Sequence, residues 1–420
     1  MSSVSCTVLA NGLPLHRIAV DGTRSITLLV AFDAGARTER PAENGMAHFL
    51  EHLVFKGGEK YPTYRDVNEA AERGGAVLNA YTSHDLVAFH ITARSTRALE
   101  AADLLTDFVG RPRIDPVELD RERGVVVQEI ARSEDQPSML AEHLIDAAEF
   151  GDHPLGRPVL GTTEHLERTF TRDGIVAFRA RRWAPERGAA FAVGNLDGLG
   201  AAGELEVLFE RFAAAADGPE PYLPAPAHRP LVRVTERDSN QSHLRIAYRP
   251  SVEVSDPAAR ATLTIYSTLL GGSMGSRLFD EIREQRGLAY SVSSYPHAYA
   301  DVPLLALSAG LDSSKTIEAY RRMREIVSEL REDGPTEAEV ERARAYAAGA
   351  RAIAFENTGA IARYAAQQAI VYREDVDPDL VIERLDAVTY DEVRQLAAGV
   401  ADDPVIACVG PHTVQEFESA

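Results

Sequence analysis

Three residues close together in the sequence, His48, Glu51 and His52, have side chains that can bind and use a metal ion. They lie in the segment GMAHFLEHLVFKGG, residues 45–58, whose apolar residues recur at helical spacing. At about 100° per residue, His52 lies roughly 40° from His48 around the helix and Glu51 roughly 60° to the other side, so all three share one face. Two imidazoles one turn apart can hold a metal, and a carboxylate beside them can take a proton from water bound there. The spacing therefore predicts two ligands and a base.

A third ligand must come from elsewhere, because a catalytic zinc usually has three protein ligands and one open position. The best candidate is Glu129, in the segment DPVELDRERGVVVQEIARSE, which predicts a long helix opened by Asp115-Pro116. Glu122 precedes Glu129 by about two helical turns with an offset of roughly 20°, so both can point at the same neighbour. One can bind the metal while the other supports it.

Each of these residues also has a structural interpretation. The two histidines could be hydrogen-bonded core residues on an apolar helix, and Glu122 and Glu129 could belong to a solvated charged face. In a chain of 420 residues with 12 His, a chance His-x-x-Glu-His is expected on the order of a few per cent of the time. The motif in isolation is therefore suggestive rather than decisive.

Charge and glycine pattern exclude two other functions. The formal charge of −20 opposes binding to a phosphate backbone, so nucleic acid is not an expected partner. The glycine-rich stretch GGSMGS lacks the endings of both the phosphate-binding loop and the dinucleotide fingerprint, so no nucleotide site is predicted.

Cysteine use and hydropathy indicate the compartment. Cys6 and Cys408 are far apart and form no C-x-x-C spacing, so neither a disulfide framework nor a thiolate zinc site is indicated. The first residues lack a basic leader with an apolar core, and no stretch approaches a membrane span. We therefore predict a cytoplasmic protein without a membrane partner.

A proline-rich break divides the chain. The segment ADGPEPYLPAPAHRP, residues 216–230, excludes a regular helix or central strand, and we interpret it as a linker. Short segments rich in β-branched and aromatic residues alternate with helical patterns on both sides of it, in a similar order. We predict an α+β fold with two duplicated domains, each a mostly antiparallel sheet with flanking helices: an N-terminal domain (1–215), a linker (216–232) and a C-terminal domain (233–420).

The motif and its context resemble a known family. The order His-x-x-Glu-His is the inverzincin signature, and HFLEHLVFKG followed by Glu122-x6-Glu129 resembles the pitrilysin, insulysin and mitochondrial processing peptidase family. The resemblance implies one Zn²⁺ per chain with His48, His52 and Glu129 as ligands, Glu51 as base and Glu122 behind the ligands. The implied activity is that of a zinc-dependent metalloendopeptidase.

The resemblance also implies substrate-binding residues. The segment GGSMGSRLFDEIREQRGLAYSVSS is similar to the family segment that carries an arginine and a tyrosine, here Arg283 and Tyr290, at a predicted helix-to-strand corner. A guanidinium and a phenol there could hold a substrate carbonyl or an oxyanion, although Arg283 could equally pair with an acidic neighbour and Tyr290 pack in a core. The strand residues Asn79, Ala80, Tyr81 and Thr82 resemble the edge strand on which relatives bind peptides by strand addition, with an ordinary buried strand as the alternative.

Relatives of this length resemble half of a clam-shaped chamber, so the resemblance implies a dimer that encloses an unfolded peptide. A homodimer and a heterodimer with a similar chain are both open, as is a noncatalytic peptide-binding subunit. The substrate could be a general oligopeptide or a peptide leader.

Overall fold

The computed structural model describes residues 3–201, 203–213 and 221–420, so part of the predicted linker, 216–220, lies outside the described residues. The chain forms two compact units. The first unit contains Met1–Ile130, Pro158–Tyr222 and Ala354–Asp379, and the second contains Ala131–Arg157, Leu223–Ile353 and Leu380–Ala420. The predicted domain bounds, 1–215 and 233–420, stay a prediction; the compact units add that one segment from each half packs with the sheet of the other.

The α-helices are named in chain order. They are α1 (Met46–Val54), α2 (Tyr64–Gly74), α3 (Ala98–Phe108), α4 (Pro116–Asp135), α5 (Pro137–Phe150), α6 (Arg172–Arg182), α7 (Glu204–Phe209), α8 (Pro257–Ser267), α9 (Thr316–Glu332), α10 (Glu337–Ala354), α11 (Thr358–Gln367), α12 (Pro378–Ala387), α13 (Tyr390–Ala398) and α14 (Val414–Glu418). None of the helices in the described ranges combines the length and the apolar composition needed to cross a bilayer.

The first unit is built on a six-stranded sheet in the order β1-β2-β6-β3-β5-β4. Its strands are β1 (Ser3–Val8), β2 (Pro14–Ala19), β3 (Ser25–Phe32), β4 (Val77–Thr82), β5 (Val87–Arg94) and β6 (Gly188–Gly194). The β2–β6 pair is parallel and the other pairs are antiparallel. Among the described residues β4 pairs with β5 alone, so its other edge has no strand partner there.

The central strand β3 explains how both faces of this sheet are covered. Its residues Leu28, Val30 and Phe32 join the main core on the face where α1 and α3 lie. Thr27 and Leu29 point to the other face and are also fully buried, because α11 packs there against β3 and β6. A strand buried on both faces needs a continuous apolar run rather than an alternating one, which is what the segment SITLLVAF provides.

The second unit has a five-stranded sheet in the order β7-β11-β8-β10-β9. Its strands are β7 (Leu231–Glu236), β8 (Gln241–Tyr248), β9 (Ala289–Ala298), β10 (Pro303–Asp312) and β11 (Val405–Gly410). One face carries the core of this unit, and α5 packs on the other through Ile145 and Ala148 against Ala247. The α+β prediction, with two similar sheet-and-helix units, is confirmed.

Candidate metal centre

The helix α1 holds the predicted motif in place through its buried face. Phe49, Leu50 and Leu53 are buried in the main core, whereas His48 and His52 remain partly accessible on the other side. Since apolar burial contributes about 25 cal/mol per Å², three large side chains fix the rotation of this short helix. The two imidazoles therefore face the same way, as the spacing predicts.

The start of α1 is fixed by a buried carboxylate. Glu39 accepts hydrogen bonds from the backbone N–H groups of Gly45, at 2.9 Å, and Ala47, at 2.7 Å. Gly45 has a φ of +94° and packs so closely on Gly161 that an added Cβ would lie 2.6 Å from its Cα atom. Burial raises the pKa of Glu39 to about 8, against the opposing effect of these hydrogen bonds, so the group acts at the helix start as a hydrogen-bond acceptor rather than through its charge. A side-chain acceptor there satisfies free backbone donors, so Glu39 sets where the motif helix begins.

Replacing Glu39 by alanine is expected to lower the free energy of unfolding by about 1–3 kcal/mol, because two buried N–H donors lose their acceptor. Urea unfolding of the metal-free protein measures this change. The matched variant Glu39→Gln keeps one acceptor oxygen and is expected to lose less. An alanine variant as stable as the original protein would contradict this role.

The three predicted ligands converge. Oε2 of Glu129, on α4, lies 3.7 Å from Nε2 of His48 and 3.4 Å from Nε2 of His52. Ligand atoms of the three residues all lie within 4.8 Å of one another. A tetrahedral zinc with ligands at about 2.0–2.1 Å separates its ligand atoms by roughly 3.4 Å. The donor set and its spacing therefore fit a zinc ion with one position left for another ligand.

The two imidazoles are in different electrostatic environments. Burial, together with the charge of His52, lowers the pKa of His48 to about 3, so this ring is neutral near pH 7 and able to bind a metal. Burial alone would lower the pKa of His52, but its hydrogen bond to Glu122 and the neighbouring carboxylates raise it. A nitrogen atom of His48, Nδ1, is buried and has no hydrogen-bond partner among the described residues.

Glu122 lies behind the predicted ligand His52. Its Oε2 atom is 3.2 Å from Nδ1 of His52, and its other oxygen is 2.6 Å from Nζ of Lys56. A carboxylate that accepts the Nδ1 proton leaves Nε2 free to bind a metal and fixes the ring orientation. The hydrogen bonds from His52 and Lys56 outweigh burial and lower the pKa of Glu122, so it stays ionised.

Glu51 is in contact with the end of the edge strand β4. The hydroxyl of Thr82 donates a hydrogen bond of 2.5 Å to Oε2 of Glu51. Burial raises the pKa of Glu51, against the opposing effects of Thr82 and His52, and the charge of Glu129 raises it further. A carboxylate with a raised pKa beside a metal centre is suited to accept and return a proton.

The predicted peptide-binding residues form the free edge of the first sheet. Because strand side chains alternate, Ala80 and Thr82 point to the α1 side, and Asn79 and Tyr81 point to the opposite face. Ala80 and Thr82 pair with Phe89 and Val87 of β5, which places the outer edge of β4 beside Glu51. An extended peptide could pair with this edge next to the metal centre.

Arg283 and Tyr290 lie together in the second unit. Arg283 belongs to a π-helical stretch, Phe279–Gln285, and Tyr290 to the start of β9, with Gly287 at a φ of +58° between them. The guanidinium carbon lies 6.0 Å from the Tyr290 ring centre. Tyr290 is 86% exposed, so it does not pack in a core. Arg283 lies 3.4 Å from the carboxylate of Glu284. Both side chains are accessible, and their catalytic role stays a prediction.

Sequence reasoning missed two supporting residues and one contact. Lys56 follows His52 by one turn of α1, a spacing that could have indicated a partner for Glu122. Glu39 gives no local signal, because an acidic residue six positions before Gly45 is compatible with many structures. The contact of Thr82 with Glu51 joins a strand to a helix and depends on the tertiary fold.

Comparison with known proteins identifies the family of the chain. The family described as Insulinase (Peptidase family M16) matches residues 18–163, and Peptidase M16 inactive domain matches residues 169–346. An uncharacterized zinc protease of Streptomyces coelicolor is 32% identical over 98% of this chain and 90% of its own length. An uncharacterized zinc protease of Bacillus subtilis is 30% identical over 92% of this chain and 93% of its own length.

The fold also agrees with solved structures. The crystal structure of a protease from Helicobacter pylori has a TM-score of 0.89 at 19% identity and covers 97% of this chain and 100% of that chain. The resemblance drawn from the His-x-x-Glu-His context is confirmed by the two family matches and by relatives of nearly full length. The chain belongs to peptidase family M16, the insulinase family.

Proposed function

We propose that the protein is a zinc-dependent metalloendopeptidase that hydrolyses unfolded peptides or peptide leaders. The observation that carries this proposal is the convergence of His48, His52 and Glu129. Glu51 lies on α1 with the two histidines and accepts a hydrogen bond from Thr82 of the edge strand β4. The names of the relatives as zinc proteases support the choice of metal. One Zn²⁺ per chain fits the donor set.

In the proposed reaction, the peptide pairs with β4 and places its scissile bond beside Glu51. Zinc, when bound, supplies Lewis acidity that polarises the carbonyl and acidifies water. Glu51 takes a proton from the attacking water and returns it to the leaving amine, while Thr82 orients its carboxylate. Glu122 holds His52 in the tautomer that binds metal. The bond is hydrolysed without a covalent intermediate.

The Arg283 and Tyr290 pair is proposed to hold the substrate carbonyl or stabilise the developing oxyanion. Its accessible guanidinium and phenol are the donors that this task needs. We further propose a dimer, either a homodimer or a heterodimer with a similar chain. Arg283 and Tyr290 would then act on a peptide bound by their own chain or by the neighbouring chain. The unpaired Cys6 and Cys408 support the proposed cytoplasmic location.

A noncatalytic peptide-binding subunit is the alternative. The second family match is described as an inactive domain and covers residues 169–346, a part of the chain without the His-x-x-Glu-His motif. The complete set of ligands, base and Glu122 in the first unit favours catalysis.

Metal analysis joined to a cleavage assay tests the proposal. We expect the purified protein to contain about one zinc ion per chain. We also expect it to cleave an unstructured peptide, with the products detected by mass spectrometry. Treatment with a chelator should abolish cleavage, and stoichiometric zinc should restore it, because the ion supplies the Lewis acid. Cleavage that persists in fully metal-free protein, or a zinc-loaded protein that cleaves no peptide in a broad library, would contradict the proposal.

A further inference from the structure

The face of β4 that points away from the metal centre carries a second group of polar side chains. Asn79 and Tyr81 lie on this face, since Thr82 points to α1 and side chains alternate. Asn79 is paired with His90 of β5, so the His90 side chain shares the face. None of these three residues contributes to the metal site described above.

The helix α11 brings a positive charge to this face. The hydroxyl oxygen of its first residue, Thr358, lies 2.9 Å from that of Thr27 on β3. The Thr27 oxygen also lies 2.8 Å from the hydroxyl oxygen of Thr92, which is on the same strand as His90. Arg363 follows on the same helix, which packs against β3 and β5, and its side chain is exposed. It lies near enough to Tyr81 and His90 for its charge to lower the pKa of both groups. No ion pair or hydrogen bond joins the Arg363 guanidinium to another residue in the described part of the chain.

The neighbours of Arg363 are hydrogen-bond donors. The side-chain oxygen of Asn79 accepts a hydrogen bond of 2.9 Å from the Ala80 N–H, and its NH₂ group has no partner among the described residues. Tyr81 keeps its phenolic proton, because burial raises its pKa to about 12. His90 is 8% exposed, and its Nδ1 atom has no partner among the described residues.

His90 is neutral at physiological pH, since burial and then the charge of Arg363 lower its pKa to about 4. The cluster thus combines one cation with neutral donors. Such a set matches a carboxylate, which accepts several hydrogen bonds and pairs with a guanidinium.

We propose that Arg363, Asn79, Tyr81 and His90 form a carboxylate-binding subsite for the peptide on β4. The inference rests on the proposed function, because it takes the ligand to be the peptide that pairs with the strand edge. Side chains of such a peptide alternate between the two faces. Those on the α1 side meet the metal centre, and those on the other side lie over Asn79 and Tyr81. The carboxylate can belong to an Asp or Glu side chain or to the C-terminus of the peptide.

A series of peptides tests the inference. Each peptide carries one glutamate at a different position and is compared with the same peptide carrying glutamine there. Binding is measured by fluorescence anisotropy with a zinc-loaded Glu51→Gln variant, so the result does not depend on cleavage. We expect about tenfold tighter binding of glutamate at alternate positions only, the gain expected from a charge-assisted contact. Amidation of the peptide C-terminus separates a terminal carboxylate from a side chain.

Arg363→Ala, made in the same background, should remove the preference and leave the affinity for the glutamine peptides unchanged. Arg65→Ala, which removes an exposed arginine from α2, is the matched control and should keep the preference. Equal binding of glutamate and glutamine peptides, a preference at every position, or no peptide binding at all would each overturn the subsite. Selective binding by a protein that fails to hydrolyse peptides would support the subsite and contradict only the proposed activity.

Discussion

Replacement of Glu51 by glutamine is expected to lower kcat/KM for peptide hydrolysis by about a thousandfold, within the range that a positioned general base contributes. Glutamine has nearly the same shape and can still accept the hydrogen bond from Thr82, so α1 should keep its place. It cannot, however, take a proton from water. Because Glu51 is not among the three converging ligands, zinc should remain bound.

Zinc content and cleavage rate measured on the same sample separate these effects. Glu72→Gln is a suitable control, since Glu72 is an exposed residue of α2 and its replacement should leave both values unchanged. A Glu51→Gln variant that holds stoichiometric zinc and retains more than a tenth of the original rate would exclude Glu51 as the base. Loss of zinc in this variant would instead indicate that Glu51 helps to hold the metal.

The metal motif was predictable because its geometry is local. The relation of His48, Glu51 and His52 depends only on the helical repeat, and the same holds for Glu122 and Glu129 on α4. The spacing along α4 showed that the two glutamates share a direction. That Glu129 rather than Glu122 binds the metal stays a prediction, which the family resemblance implies and the distances from Glu129 to His48 and His52 support.

The α+β fold was predictable for a similar reason, since β3, β4 and β5 are short runs of β-branched and aromatic residues between turns. The packing of α11 on the first sheet was not. The contact between Thr27 and Thr358 joins residues 331 positions apart, and no local pattern indicates which sheet a helix will cover. Arg363 reaches the face of Asn79 and Tyr81 only through this packing, so the sequence-based prediction included those two strand residues but not Arg363.

Glu39 shows the same limit at shorter range. Its carboxylate reaches Gly45 and Ala47 only because the intervening residues form a turn and a short helical stretch, Pro41–Glu43, that bring it back to the start of α1. Neither residue type nor spacing distinguishes this acid from an exposed one. Supporting residues of this kind become visible only with the tertiary structure.

The two glutamates of α4 are expected to differ strongly when each is replaced by alanine. Loss of a residue that supports a metal ligand typically lowers metal affinity by about 10- to 100-fold. Glu129→Ala removes one of the three proposed ligands, so its zinc affinity should fall by more than this. The zinc affinity of Glu122→Ala should fall by an amount within this range. This replacement removes the acceptor of the His52 proton and leaves the Lys56 ammonium group without its carboxylate, but it spares all three ligand atoms.

Competition titration against a chromophoric zinc chelator measures both affinities on one scale. Glu134→Ala removes an exposed carboxylate from the same helix and should leave zinc affinity unchanged, which controls for the loss of charge. Glu122→Gln can still accept a hydrogen bond from His52 and should be milder than Glu122→Ala. If Glu122→Ala weakened zinc binding more than Glu129→Ala, the assignment of ligand and supporting residue would be reversed. Equal losses would indicate that both carboxylates bind the ion.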